Sequence, residues 1–145
     1  MPAAEALFDS NVLIYALLDK PGEEAKCDRA KALIASEDFG ISYQILMEVW
    51  VVATRKIAQP VTPEKVAAFL KSLLEFPCVP GTEGLYQQAV EIVRRFRIHP
   101  YDATIIAAAH ELGASIVYSE DLNDGQEYDG VTVINPFRNL PRDGS

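Results

Sequence analysis

A chain of 145 residues, 49% hydrophobic and 23% charged, has the size and balance of one globular domain that closes its own core, with no room for a second. Charge interrupts every apolar stretch before the roughly 18 residues of a membrane span, and Met1 to Asp9 lacks the pattern of a secretory signal, so a cytoplasmic protein with no membrane contact is expected. The formal net charge of −8 counts against nucleic acid, whose phosphates are bound by Lys and Arg, unless the acids gather where bound cations neutralise them.

In chain order, Ala6 to Phe8 reads as a first strand, closed by the turn and cap formers Asp9, Ser10 and Asn11 before a short helix over Val12 to Leu18. Pro21-Gly22 ends that unit, and a helix follows from about Glu24 to Ala35. Phe39 to Ile41 is a second strand. Ser42 caps a helix running to about Lys56 that is apolar on nearly every side and is therefore expected between other elements. Thr62-Pro63-Glu64 starts a helix ending near Phe76-Pro77. Cys78-Val79 is a weak third strand, Glu83 to Arg97 a helix, and Pro100 opens another that Gly113 closes. Ser115 to Tyr118 is the clearest strand. An acidic loop from Ser119 to Gly130 is either a solvated turn or one wall of a cation site, and Val131 to Ile134 is the last strand. The domain thus spans residues 1–137, and a loose polar tail covers 138–145. Strands alternating with helices predict an α/β domain with a parallel sheet. Cys27 and Cys78 have neither disulfide nor metal spacing and are expected as free thiols.

Four acids do not sit easily in a purely structural reading. Asp9 and Asp121 each follow an apolar strand, at the carboxyl edge where open α/β sheets bind ligands, although each could equally be a cap or turn residue. Glu48 shares a helix face with Ile45 and Val52, where a charge needs a partner; the bland partner is Arg55, seven residues along. Asp102 lies in a first helical turn, favoured there by the helix dipole, yet Ile105, Ile106 and Ala107 to Ala109 suggest that its side faces inward. Four converging carboxylates would repel one another without a cation. An all-oxygen set without clustered His or Cys suits Mg2+ or Mn2+, and phosphodiester hydrolysis is the matching chemistry. The clusters Arg55-Lys56 and Arg94-Arg95-Arg97 are either phosphate contacts or solvated helix ends. His99 and His110 are expected at surface or cap positions.

With those residues in view, the sequence resembles the PIN-domain ribonucleases, and among them the toxins of VapBC-type toxin-antitoxin pairs. The resemblance lies in Phe8-Asp9-Ser10-Asn11-Val12-Leu13, in Glu48 within Ile45 to Val49, in Tyr101-Asp102-Ala103-Thr104 continuing to Ala109, in Tyr118-Ser119-Glu120-Asp121-Leu122, and in Val133 to Phe137. It implies a three-layer α/β/α domain around about five parallel strands, a Mg2+- or Mn2+-dependent endoribonuclease, a homodimer, and a small antitoxin that masks the site. Carried over by position, Asp9, Glu48, Asp102 and Asp121 become catalytic metal ligands. Ser10, Asn11 and Ser119 become their supports, and a part for Asp124 is left open.

Two other readings compete. Phe8-Asp9 and Asp121 to Asp124 are similar to haloacid-dehalogenase-type phosphatases, with Asp9 as nucleophile. Asn11 then stands where those enzymes place a general acid, and an amide cannot give up that proton. A non-catalytic binding module of the same fold is the third reading.

Overall fold

The computed structural model describes residues 3–140. The elements run β1 (Ala6–Phe8), α1 (Ser10–Leu17), α2 (Glu24–Ser36), β2 (Phe39–Ser42), α3 (Tyr43–Val51), α4 (Pro63–Leu73), β3 (Cys78–Val79), α5 (Glu83–Phe96), α6 (Pro100–Leu112), β4 (Ile116–Tyr118), β5 (Glu127–Tyr128) and β6 (Val131–Ile134). The caps read from the sequence at Ser42, Thr62 and Gly113 are present, and Thr82 adds one that was not read there. Hydroxyls of Ser42, Thr62 and Thr82 accept from the backbone N–H of the third residue of their helices, prolines occupy the first turns of α4 and α6, and Gly113 closes α6 at φ 72°.

The strands order as β3-β2-β1-β4-β6-β5. Every pairing is parallel except β5 with β6, so the five expected parallel strands are present and β5 adds a sixth, antiparallel edge. That short hairpin lies within the segment expected as an unbroken loop from Ser119 to Gly130. Its turn takes Asp129 at φ 52° and Gly130 at φ 90°, and Asp-Gly is a familiar hairpin signal that the acidic composition obscured.

Strands β1 and β2 are buried along their whole length, as a parallel sheet covered by helices requires. The chain steps from β1 outward to β2 and β3, then crosses back to β4 on the other side of β1. Right-handed crossovers therefore put α1 to α4 on one face and α5 with α6 on the other. Phe8 stacks on Phe39 at 4.2 Å between ring centroids, and Phe39 on Phe76 at the same distance. Leu112 of α6 packs tightly over Gly40 of β2: a Cβ there would stand 2.7 Å from Leu112 Cδ1 and 3.0 Å from the Pro77 carbonyl oxygen.

The reversal of direction between β1 and β4 is a topological switch point, the usual place for a crevice in such sheets. The register pairs Phe8 with Tyr118, which brings the residues just beyond, Asp9 and Ser119, side by side.

One expectation needs correction, and one alternative falls away. The helix expected to run evenly to Lys56 changes form: Val52–Lys56 is a π-helical turn closed by i→i+5 bonds. The pairing of Glu48 with Arg55 does not form. Of the tail expected over 138–145, residues 141–145 lie outside the described ones; Arg138 pairs with Asp124 and Leu140 packs against the core. Both cysteines are free, Cys27 buried and Cys78 half-buried. No helix among the described residues is long and apolar enough to cross a membrane.

Candidate functional site

Asp9 is the centre of the site. It leaves β1 with its backbone N–H bound to the Tyr118 carbonyl at 3.0 Å, then caps α1, and its side chain is almost wholly buried at 3% exposure. One carboxylate oxygen accepts from the Ser10 N–H at 2.7 Å; the other accepts from the Ser119 hydroxyl at 2.7 Å and from the Asn11 amide at 3.4 Å. Burial is the largest influence on its acidity and outweighs those lowering bonds. With smaller help from the negative charges of Glu48 and Asp121, it pushes the Asp9 carboxyl up to about 6.

Asn11 ties the two strand ends together. Its amide group also lies 3.3 Å from Ser119 Oγ and 3.2 Å from Asp121 Oδ2, while its carbonyl oxygen accepts from the Glu120 N–H at 3.3 Å. Ser119, fully buried, accepts in turn from the backbone N–H groups of Asp121 and Leu122 at 3.1 and 3.3 Å. Asp9, Ser10, Asn11, Ser119 and Asp121 are thus one hydrogen-bonded unit. Asn11 has a positioning task there, and the general acid of a phosphatase finds no substitute at its place.

Glu48 and Asp102 approach this unit from α3 and α6. Glu48 is half-buried, accepts from Gln44 Nε2 at 3.4 Å, and is close enough for its charge to weigh on Asp9. Asp102 is half-buried too; burial first, and the charge of Asp121 after it, raise its carboxyl above the ordinary range despite an opposing influence from His99. The cap of α6 belongs to His99, whose Nδ1 accepts from the Tyr101 N–H at 3.2 Å, so Asp102 is not needed for that purpose. His110 reaches the Tyr128 carbonyl at 3.3 Å.

Asp124 stands apart. It accepts from the Asn135 N–H at 2.7 Å and pairs with Arg138, and these two contacts hold its carboxyl below the usual range. Its bonds fasten the turn after β6.

An all-oxygen donor set in which burial and neighbouring charges disfavour one ionised carboxylate is chemically suited to a hard divalent cation, which would relieve the desolvation and repulsion at Asp9. Among the described residues no three His, Cys, Asp or Glu side chains close on a single point. The acids are instead coupled in pairs, Asp9 with Glu48, Asp9 with Asp121, and Asp102 with Asp121. Such an open arrangement suits an ion that keeps several of its own waters.

A second group beside the site was not anticipated. Tyr15 donates to Glu120 Oε1 at 2.8 Å, and Lys26 donates to Glu120 Oε2 at 3.0 Å and to the Tyr15 oxygen at 3.3 Å. Burial, then the bond to Glu120, pushes the Tyr15 phenol up to about 12, and the two partners hold the Lys26 ammonium above its usual value although burial opposes it. This triad anchors the Ser119–Asp121 turn to α1 and α2. Only the acidity of Glu120 was visible in the sequence, because a pairing across three elements has no local signature.

Next to the acids lies an open cleft of about 500 Å3, bounded by Ser10, Gln44, Met47, Glu48, Lys56 and Tyr101 among others.

Comparison with known proteins gives this arrangement a setting. A family model for the PIN domain matches residues 6–125. No curated protein sequence matches the chain. Among solved structures, the chain is similar to VapC20 of Mycobacterium tuberculosis, described as a sarcin-ricin-loop-cleaving toxin, with 21% identity over 79% of this chain and 88% of that one and a TM-score of 0.62. It is similar to a toxin-antitoxin complex from Klebsiella pneumoniae, with 23% identity, coverage of 90% and 97%, and a TM-score of 0.63. It is also similar to the DNA-bound VapBC of Salmonella typhimurium, with 21% identity, coverage of 92% and 97%, and a TM-score of 0.61. At these identities the likeness is one of fold.

Proposed function

The chain belongs to the PIN-domain family, and from that premise we propose that it is a Mg2+- or Mn2+-dependent endoribonuclease acting in the cytoplasm, the toxin of a toxin-antitoxin pair. The observation that carries this reading is the buried Asp9 carboxylate, bound by Ser10, Asn11 and Ser119 and burdened by the charges of Glu48 and Asp121. A purely structural cap would gain nothing from such company.

In this reading Asp9 and Asp102 are the principal ligands, and Glu48 and Asp121 complete the acidic set. A bound divalent ion supplies positive charge for the phosphate and lowers the pKa of an attacking water. The chain's own contribution is position. Ser119 and Asn11 fix the oxygens of Asp9, and Asn11 holds Asp121 toward it, so the carboxylates need little rearrangement when substrate arrives. Ser10, at the cleft edge beside Glu48, is placed to orient a phosphate oxygen. Glu48 opens on the same cleft, where its carboxylate can hold or receive the proton of a water.

The partners proposed with this activity are an RNA substrate, a second copy of the chain and a small antitoxin. Similarity to structures of toxin-antitoxin complexes supports the last. Purified protein incubated with a labelled RNA should cut it internally when Mg2+ or Mn2+ is present, stop on chelation, and resume when the ion is restored. Cleavage that persists undiminished in excess chelator would defeat the metal-dependent reading. Release of phosphate from a small phosphomonoester without RNA cleavage would favour the phosphatase instead.

A further inference from the structure

The π-helical turn at Val52–Lys56 changes which cation meets the site. In an unbroken α-helix, Arg55 would lie seven residues along the face of Glu48. A turn closed by i→i+5 bonds holds one residue more, so the position aligned with Glu48 passes from Arg55 to Lys56. The cleft reflects this shift: Lys56 bounds it together with Glu48, and Arg55 does not. The wide turn is secured from behind. Ala53 is fully buried against Leu17 and Val66, and its carbonyl accepts from the Val61 N–H at 2.9 Å.

The other cations near the acids are already engaged, Lys26 by Glu120 and Arg138 by Asp124. Among the described residues Lys56 has no carboxylate within ion-pair distance, although it borders the same cleft as an acid. The same cleft is bounded by Tyr101, 67% exposed and adjacent in sequence to Asp102, and by Met47, 56% exposed. An exposed aromatic ring, apolar side chains and a free ammonium lining one cleft match the parts of an unpaired nucleotide, whose base stacks on an aromatic ring and whose phosphate takes a cation.

The geometry points to a nucleotide subsite in this cleft, in which Lys56 binds an RNA phosphate flanking the scissile bond and Tyr101 carries the adjoining unpaired base. The assignment rests on the nuclease reading and specifies where that substrate lies. Arg55, turned away by the π-helical turn, takes no part. The cleft thereby selects single-stranded RNA over duplex, because a paired base cannot leave its stack to lie against Tyr101 without losing its partner.

The test uses the purified full-length chain and a short fluorescein-labelled single-stranded RNA of mixed sequence. Cleavage in Mn2+ gives kcat and KM, and anisotropy without added metal gives Kd as salt is varied. Lys56→Gln should raise Kd and KM about tenfold with kcat within about twofold, and flatten the dependence of log Kd on log salt by about 0.7, one phosphate contact on a single strand. Lys56→Arg should restore most of the affinity, and Arg55→Gln should behave as wild type. Tyr101→Leu should raise KM about tenfold while Tyr101→Phe stays near wild type. Equal losses in Lys56→Gln and Arg55→Gln would overturn the subsite, leaving only diffuse charge. Unchanged RNA parameters in Lys56→Gln and Tyr101→Leu would overturn it too and leave the cleft to a protein segment. A wild-type chain that neither binds nor cuts RNA would remove the nuclease reading and the subsite with it, whereas wild-type KM and Kd in Lys56→Gln remove the subsite alone.

Discussion

Asp9 carries two opposed demands in one side chain. Its hydrogen bonds from Ser10, Asn11 and Ser119 favour the carboxylate, while burial and the nearby charges of Glu48 and Asp121 favour the acid and prevail, so that its folded pKa is about 6 against 3.8 for the free group. Between those two values the metal-free folded chain holds more proton than the unfolded chain. Stability therefore falls as pH rises through this window, and the full cost, at most roughly 3 kcal/mol, is present above about pH 6. Asp9→Asn keeps an oxygen for Ser119 and removes the charge. In the metal-free protein it should raise Tm at pH 7.5 and have little effect at pH 4, and Mn2+ should raise the Tm of wild type but not of the variant. Thermal unfolding with and without Mn2+ at the two pH values checks this; a variant less stable than wild type at pH 7.5 would mean that the hydrogen bonds outweigh the charge. At this scale the sequence showed which acids matter to the reading through their place after strands and on an apolar helix face. The sequence put His99 at a surface or cap position, and it caps α6; which of the two it would be was left open, because a cap is chosen by side-chain geometry.

Elements were legible where hydrophobic period and end signals agree. The strands β1, β2, β4 and β6, the caps at Ser42 and Thr62, and the stop at Gly113 all follow from residues that have few alternatives in those positions. The π-helical turn was not legible, since Val52 to Lys56 carries no residue that forbids an ordinary helix. Its Ala53 packs against Leu17 and Val66, contacts with other elements that no local pattern announces. Strand β5 escaped for a similar reason: two residues beside Asp129-Gly130 become a strand only because β6 offers an edge. The tight contact of α6 with β2 at Gly40 gives a test of packing. Gly40→Ala would drive its new methyl against Leu112 and the Pro77 carbonyl, so the sheet and α6 must separate slightly. A loss of about 1–3 kcal/mol is expected, read as a lower denaturant midpoint with unchanged slope. An unchanged midpoint would show that Leu112 moves aside freely.

For the whole molecule, the net charge of −8 and the proposed RNA substrate are reconciled by where the charges lie. Asp9, Glu48, Asp102 and Asp121 belong to one edge of the sheet, where a divalent ion would offset them, and Lys56 faces the adjoining cleft. That convergence depends on topology: the crossing from β3 back to β4 sets Ser119 and Asp121 beside Asp9, more than a hundred residues away in sequence. Order along the chain suggested this edge, and the parallel register of β1 with β4 supplies it. The most direct measurement is single-turnover RNA cleavage in Mn2+ by wild type and by Asp102→Asn, with circular dichroism to verify that both are folded. Wild type should cut the RNA, and Asp102→Asn should cut it at least about a hundredfold more slowly, with RNA affinity within a few fold. Cleavage by the folded variant at the wild-type rate would contradict the assignment of these carboxylates to catalysis.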